Sequence, residues 1–229
     1  MQIIDEYKGH DRMLIAVDCI IFGFDGKELK ALLIKRSFEP GLGEWSLMGG
    51  FIASNESLDQ GAGRILENLT GLQNIYMEQL YCFGEVDRDP GGRVISIAYF
   101  ALIKINNSAQ LLQENNAKWF NVRDIPPMIF DHSEMIIMAK QRLQQIAATR
   151  PIGFELLPDR FTLPQLQSLY EEIYETTFDK RNFSRKIKAL GVLKKLTTKE
   201  KLGSKKGAFY YRFDYKKYKK REKESLRFI

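Results

Sequence analysis

Apolar residues follow two different spacings along the first two thirds of the chain. Four apolar, β-branched runs are typical of strands: 13–24, 29–35, 76–86 and 94–105. Asp25-Gly26-Lys27 predicts a hairpin turn after the first run. The segments 57–69 and 135–147 instead repeat apolar residues every three or four positions, which predicts two helices. This mixture of strands and helices predicts an α+β fold.

The helical pattern breaks at Thr149-Arg150-Pro151-Ile152-Gly153, which predicts a domain boundary. We therefore expect two domains, residues 1–152 and residues 153–229. Early in the second domain, Thr162 and Gln165 have the spacing of a capping box at the start of an apolar helical stripe.

A second helix is predicted between Asp179, as its N-cap, and Gly191. Strand-like runs at 193–198 and 208–213 then flank a loop rich in glycine and lysine. Helix, turn, helix and basic hairpin form the order of a winged helix-turn-helix domain. The lysine-rich stretch 216–223 is expected to be frayed.

The charge of the chain is divided unevenly between its ends. Residues 179–229 hold 19 Lys and Arg against 5 Asp and Glu, a net of +14, whereas residues 1–178 hold 16 against 24, a net of −8. This asymmetry predicts that the C-terminal part meets a polyanion. A basic tail that serves only solubility is the alternative.

Other classes of protein are disfavoured by the composition. Apolar runs are of strand length, far below the roughly 20 residues of a membrane helix, and the acidic start MQIIDEYKGHDR is unlike a secretory signal. We expect a cytoplasmic protein with no membrane partner. Cys19 and Cys82 each lie in an apolar run, which predicts two buried free thiols.

One segment resembles the Nudix box, in which glycines, glutamates and an arginine stand at fixed spacings over 23 residues. It runs from Trp45 to Leu72 and reads WSLMGGFIASNESLDQGAGRILENLTGL. The matching positions are Gly50, Glu56, Arg64 and Gly71, with the apolar Leu66 and Leu72. The resemblance covers residues 10–147 and implies a Nudix-type sandwich of mixed β-sheet and helices. It also implies that Glu56 and Arg64 fix the loop before the helix.

The chain departs from the box at three positions. The family has glutamates there that hold magnesium, whereas this chain has Ile65, Asn68 and Leu69. Positions i, i+3 and i+4 share one helix face, so the three side chains are expected to point into one cleft. Magnesium needs hard oxygen ligands. We therefore expect no metal, no cofactor and no enzymatic activity. A hydrolase with unusual ligands is the alternative, and its candidate ligands are Glu44, Glu56 and Glu85.

The Nudix resemblance also indicates which strands and loops border the cleft. A small polyol ligand needs converging donors and acceptors beside an aromatic wall. The candidate effector-binding residues are Arg36, Trp45, Glu85, Asp87, Arg93, Tyr99 and His132. Core packing is the alternative for Trp45 and Tyr99, and a solvated turn is the alternative for residues 87–89. Asp131 is expected to cap the following helix.

The helix after Asp179 is predicted to have an apolar face, with Phe183 and Ile187, opposite a basic face. Such a helix docks by its apolar face and reads the major groove of DNA with its basic face. The candidate DNA-binding residues are Lys180, Arg181, Asn182, Ser184, Arg185, Lys188 and, in the hairpin loop, Lys205 and Lys206. The hairpin lysines are expected to follow the phosphate backbone.

Together the two halves resemble the NrtR-like family of Nudix-related transcriptional regulators. The stretches LLPDRFTLPQLQSLYEEIYE and DKRNFSRKIKALGVL resemble its DNA-binding domain. The resemblance implies a ligand-responsive homodimer on a palindromic double-stranded operator. Its effectors include ADP-ribose and, in the arabinose-responsive AraR branch, L-arabinose. Because Ile65 and Leu69 suit an uncharged ligand, a sugar is favoured. An RNA-binding protein that stacks bases on Tyr210, Tyr211 and Tyr215 is a further alternative.

Overall fold

The computed structural model describes residues 5–71, 75–105, 116–201, 207–221 and 227–228. In the first domain the described strands are β1 (Leu14–Phe24), β2 (Leu29–Lys35), β3 (Trp45–Ser46), β4 (Met48–Phe51), β5 (Tyr76–Phe83), β6 (Val94–Lys104) and β7 (Ala117–Asn121). Its helices are a 3-10 turn at Asp5–Tyr7, α1 (Leu58–Thr70) and α2 (His132–Thr149). The predicted strands and both predicted helices are confirmed, and their ends differ from the prediction by at most three residues.

Strand β1 organises the mixed sheet of this domain. It pairs in parallel with β6 from Leu14 opposite Val94 to Phe24 opposite Lys104, and it pairs antiparallel with β2 and β4. From Val17 onward β1 is buried on both faces, which explains its continuous apolar run. Helix α1 covers one face of the sheet and α2 the other, so the predicted α+β sandwich is confirmed.

Helix α1 begins and ends at the positions where the sequence has capping signals. The Ser57 hydroxyl accepts a hydrogen bond from the Gln60 N–H at 3.2 Å, and the Gln60 side chain accepts one from the Ser57 N–H at 2.9 Å. Gly71 ends the helix in the left-handed region at φ 68°. A side chain there would be strained, which accounts for glycine as the C-cap.

The second domain has the predicted winged-helix order. Its elements are α3 (Gly153–Leu156), β8 (Phe161–Thr162), α4 (Leu163–Tyr174), α5 (Lys180–Ala189), β9 (Leu193–Glu200), β10 (Ala208–Phe213) and α6 (Tyr215–Arg221). The capping box at Thr162 and the Asp179 cap are both formed. The expectation of a frayed stretch from residue 216 is wrong as far as residue 221, because Tyr218 is buried and anchors α6.

The two domains share one hydrophobic core, which runs from Phe22 in β1 to Ile173 in α4. Polar contacts between α2 and α4 surround it. The Gln144 side chain donates to the Ile173 carbonyl at 2.9 Å, and the Tyr174 hydroxyl donates to the Gln144 carbonyl at 2.7 Å. The winged helix is therefore docked against the first domain by α4.

Two further expectations are that both cysteines are buried and that the chain has no membrane-spanning segment. Cys19 is buried as predicted, but Cys82 is exposed, so the prediction of two buried thiols is wrong. Cys82 lies near the end of β5, an edge strand of the sheet in which most side chains are exposed or half-buried. Among the described residues no helix combines the length and apolar character needed to cross a membrane.

Candidate ligand cleft and DNA-binding surface

A cleft of about 340 Å³ opens between the first strands, the loop after β2 and the start of α2. Its volume is at the lower end of the range for small-molecule sites, roughly 300–1,000 Å³. Strand β1 contributes Ala16 and Asp18, and β4 contributes Gly49 and Gly50. A Cβ atom on Gly49 would lie 2.3 Å from Asp18 Oδ1, so only glycine admits the carboxylate at this point.

Five polar residues form the floor cluster of the cleft: Asp18, Arg88, Ser96, Asp131 and His132. The Arg88 guanidinium donates from Nε to Asp131 Oδ2 at 2.8 Å and from Nη2 to Asp131 Oδ1 at 2.6 Å. Arg88 Nη2 also lies 3.7 Å from Asp18 Oδ2, which accepts a hydrogen bond from Ser96 at 2.6 Å. The cluster therefore holds buried charges in paired geometry.

His132 is the neutral member of the floor cluster. Its Nδ1 accepts a hydrogen bond from the Leu47 N–H at 3.1 Å, which places the imidazole proton on Nε2. Nε2 points toward Asp18 Oδ1 at 3.6 Å. Burial lowers the pKa of His132, against the opposing effect of the Asp18 carboxylate, and so favours the neutral ring.

At the mouth of the cleft, Arg36 is held by aromatic side chains. Its guanidinium lies 4.0 Å from the centre of the exposed Phe38 ring and 5.5 Å from that of Phe130. Arg36 Nε donates to the Pro40 carbonyl. Lys35, the next residue back, also lines the cleft and is exposed. Positive charge is thus concentrated at the rim.

The box residues divide into a structural pair and an altered face. Arg64 Nε donates to Glu56 Oε2 at 2.9 Å, and Arg64 Nη2 donates to the Phe51 carbonyl at 3.1 Å, so the pair ties the loop to α1. The Arg64 hydrogen bond lowers the pKa of Glu56 to about 2, which keeps the carboxylate charged. Glu56 and Arg64 thus have the structural geometry expected of them.

The three positions at which the family has glutamates do not share one environment. Leu69 lines the cleft, Ile65 is buried in the core beneath Gly50, and Asn68 is exposed outside the cleft lining. The expectation that all three point into the cleft is therefore wrong for Ile65 and Asn68. Within the described residues no group of three His, Cys, Asp or Glu side chains has metal-binding geometry.

Two of the seven candidate effector-binding residues, Arg36 and His132, line the cleft. Tyr99 is buried on the α1 face of the sheet and donates to Asp59 at 2.6 Å. Trp45 packs edge-on against Phe120, with ring centres 4.7 Å apart.

The remaining three candidates lie in the segment between β5 and β6, outside the described lining of the cleft. Arg93 Nη1 donates to the Gly84 and Glu85 carbonyls at 2.8 and 2.9 Å, and so fixes this segment. Glu85 and Asp87 are both exposed there.

Sequence reasoning missed most of the floor cluster. Arg88 was considered only as part of the alternative, a solvated turn at residues 87–89, but it is buried and pairs with Asp131. Asp131 was expected to cap α2 with its side chain, yet it forms no such cap. Asp18 carried a usable signal, since it is the one charged residue inside the apolar run of β1. A buried carboxylate in such a run needs partners and therefore marks a polar site.

Helix α5 presents the predicted basic face. Phe183 and Ile187 are buried, whereas the other members of the predicted set on this helix are exposed or, for Ser184, half-buried. The exposed residues are Lys180, Arg181, Asn182, Arg185 and Lys188. Arg185 Nη2 donates to Asn182 Oδ1 at 2.9 Å, so these two polar ends lie together. Lys205 and Lys206 lie outside the described residues.

The tyrosines that suggested RNA binding are distributed over different environments. Tyr211 is buried in the shared core. Tyr210 lies on β10, 5.1 Å from the Arg160 guanidinium, and the exposed Tyr215 begins α6. Because Tyr211 is buried, the three rings are not all accessible for stacking on bases.

Fold and cleft together define a two-domain protein that joins a Nudix-type domain to a DNA-binding winged helix. The family description "NUDIX domain" matches residues 13–138, and "NrtR DNA-binding winged helix domain" matches residues 153–213. The chain belongs to the NrtR family of Nudix-related transcriptional regulators.

Similar proteins cover nearly the whole chain. The "ADPR responsive transcriptional repressor NtrR" of Acinetobacter baylyi is 33% identical over 210 residues, which are 90% of this chain and 84% of the relative. The crystal structure of Shewanella oneidensis NrtR complexed with a 27mer DNA has a TM-score of 0.78 at 31% identity and covers 89% of this chain and 94% of that one.

The first domain alone also has a similar solved structure. The NUDIX domain of Shewanella oneidensis NrtR complexed with ADP ribose has a TM-score of 0.53 at 33% identity and covers 62% of this chain and 99% of that one. The relatives named for a ligand are ADP-ribose proteins, so the comparisons give no support to the preference for a sugar effector.

Proposed function

We propose that this chain is an ADP-ribose-responsive transcriptional repressor, in which the cleft binds ADP-ribose without hydrolysing it and α5 binds an operator. The observation that carries the proposal is the likeness over both domains to an ADPR responsive repressor, joined to a cleft with cations at its rim. Lys35 and Arg36 at that rim suit the diphosphate of ADP-ribose.

The altered box favours sensing over catalysis. Leu69 places an apolar side chain in the cleft at a position where the family holds a glutamate, and the buried Ile65 lies beneath Gly50. A diphosphate bound there has no carboxylate-held magnesium to stabilise charge during bond breaking. Binding can persist because the rim cations do not depend on the metal.

The geometry of the winged helix supports a protein that binds double-stranded DNA as a homodimer. The exposed Arg185 and Arg181 on α5 can approach guanine edges in the major groove. One recognition helix covers a half-site, so two copies on a palindrome, about 34 to 36 Å apart, supply full affinity. We propose a cytoplasmic homodimer on this basis.

Fluorescence anisotropy tests the proposal. Double-stranded sites are first selected from a random library with the full chain, and ADP-ribose is then titrated into the complex. Release of the selected DNA by ADP-ribose, with L-arabinose inactive, is the expected result. DNA binding that ignores ADP-ribose at saturating concentration overturns the proposed effector, and release by L-arabinose alone restores the sugar hypothesis.

A further inference from the structure

Two polar atoms of the floor cluster lack a hydrogen-bond partner among the described residues. Asp18 Oδ1 accepts no hydrogen bond from the described residues, and His132 Nε2 lies 3.6 Å from it, just beyond hydrogen-bond distance. Every fully enclosed polar side-chain atom of the described residues does have a partner. Asp18 Oδ1 and His132 Nε2 are therefore not enclosed, and they open onto the cleft that both residues line.

The two atoms have opposite hydrogen-bonding character. Asp18 Oδ1 is an acceptor, and its sister Oδ2 already accepts from Ser96 at 2.6 Å. His132 Nε2 is a donor, because Nδ1 is occupied by the Leu47 N–H. A hydroxyl group is a donor and an acceptor at once, so one hydroxyl can satisfy both. A phosphate oxygen only accepts, and it would meet the carboxylate.

The distribution of charge gives the cleft a direction. Asp18 and Asp131 outweigh Arg88 by one negative charge at the floor, where His132 is neutral, and the half-buried Asp89 adds a further negative charge to the lining. Lys35 and Arg36 place positive charge at the rim. A ligand that is anionic in its middle and uncharged but hydroxylated at one end therefore fits with the hydroxylated end on the floor.

We infer that Asp18 and His132 form a hydroxyl-recognition pair that selects a ligand with a terminal sugar and orients that sugar to the cleft floor. The inference rests on the proposed function, in which the terminal sugar is the distal ribose of ADP-ribose. ADP lacks that ribose. Asp18 is therefore the residue that makes the chain bind ADP-ribose in preference to ADP.

Isothermal titration of the full chain with ADP-ribose and with ADP tests the inference, and a first comparison needs no variant. A hydrogen bond to a charged group contributes about 1.5 to 3 kcal/mol, or roughly ten- to a hundredfold in affinity. The wild-type chain is expected to bind ADP-ribose at least about tenfold more tightly than ADP. Equal affinities overturn the inference while ADP-ribose sensing stands.

Asp18→Asn is the informative variant. Ser96 donates to Oδ2 and Arg88 Nη2 lies 3.7 Å from it, so the amide oxygen takes that position and the NH2 group replaces Oδ1. The acceptor at the cleft becomes a donor that faces another donor. ADP-ribose affinity should fall about tenfold or more, with ADP affinity changed less than about twofold. Asp124→Asn, which makes the same change at an exposed carboxylate just after β7 and outside the described lining of the cleft, is the matched control.

The possible outcomes separate the two hypotheses. A parallel loss of both ligands in Asp18→Asn, or no loss of either, overturns the assignment to Asp18. Failure of the wild-type chain to bind either nucleotide overturns the proposed function, and the inference with it. If Asp18→Asn does not fold, the wild-type comparison of ADP-ribose with ADP still decides whether the cleft selects the terminal sugar.

Discussion

Single residues of the floor cluster show how a polar site persists inside an apolar sheet. Arg88 is almost fully buried, and its charge is compensated by the bidentate Asp131 and the nearby Asp18. Removing one partner from such a group leaves uncompensated buried charge, which costs more than the ion pair contributes. The cluster is thus sensitive to the loss of any charged member.

Arg88→Met tests this sensitivity. Methionine retains the unbranched shape of the arginine stem but removes the guanidinium, so two carboxylates lose their cation. The free energy of unfolding should therefore fall by about 3 to 5 kcal/mol. Urea denaturation followed by circular dichroism measures the loss. Arg181→Met on the exposed face of α5 is the control and should stay within about 0.5 kcal/mol of wild type. A loss below about 1 kcal/mol for Arg88→Met contradicts the role of the cluster.

Among the elements, α1 keeps the shape of the Nudix box although residues of the box on this helix are replaced. Its capping box, its C-cap and the Glu56–Arg64 pair preserve the loop-helix shape. The cleft side of the helix carries Leu69. The element thus keeps the loop-helix shape of the box at a position where the side chain that faces the cleft is apolar.

Absence of hydrolysis is the corresponding prediction. With millimolar magnesium or manganese, ADP-ribose and other nucleoside diphosphate derivatives should remain intact, because the part of the chain that the structure describes has no cluster of carboxylates with metal-binding geometry. Chromatographic detection of AMP from ADP-ribose measures turnover. A rate approaching about 1 per second, within the ordinary range of enzymes, would establish the hydrolase alternative. An active Nudix hydrolase in the same assay provides the positive control.

Helix α5 and the wing are expected to make different kinds of DNA contact. Arg185→Ala should weaken the selected site by about 1 to 3 kcal/mol and relax discrimination at particular bases. Lys199→Ala, on the exposed end of β9, should weaken all DNA similarly and reduce the salt dependence by about one unit. Anisotropy on selected and random DNA across salt concentrations measures both. Equal effects of Arg185→Ala on the two DNAs would remove it from base reading.

For the whole molecule, the sequence predicted what depends on local signals. Capping residues and apolar spacing predicted α1, α2, α4 and α5, and the sign of charge predicted the basic face of α5. The floor cluster depends on distant pairs: Ser96 bonds Asp18 across 78 positions, and Arg88 bonds Asp131 across 43. Periodicity cannot identify such partners. Cys82 was mispredicted for the same reason, since burial depends on what covers the sheet edge.

The domain contact provides a physical route between cleft and DNA. Helix α2 begins at His132 on the cleft floor, and further along the same helix Lys140 pairs with Glu175 at 2.6 Å. Gln144, one turn later, contacts Ile173 and Tyr174 of α4. A ligand that displaces the start of α2 can therefore reorient the winged helix without touching a DNA-contacting residue.

The double variant Lys140→Ala/Gln144→Ala should uncouple the two sites while leaving each able to bind. Thermodynamic linkage makes the coupling reciprocal: ADP-ribose weakens DNA binding by a certain factor, and DNA weakens ADP-ribose binding by the same factor. Such coupling free energies are commonly about 1 to 3 kcal/mol. Titration of ADP-ribose with and without selected DNA measures that factor. It should approach one in the double variant and stay unchanged in the control Lys30→Ala, whose ion pairs lie within the first hairpin. A coupling factor that survives in the double variant shows that the Lys140 and Gln144 side chains are dispensable for the signal, because the variant keeps the Tyr174 bond to the Gln144 carbonyl and the shared core.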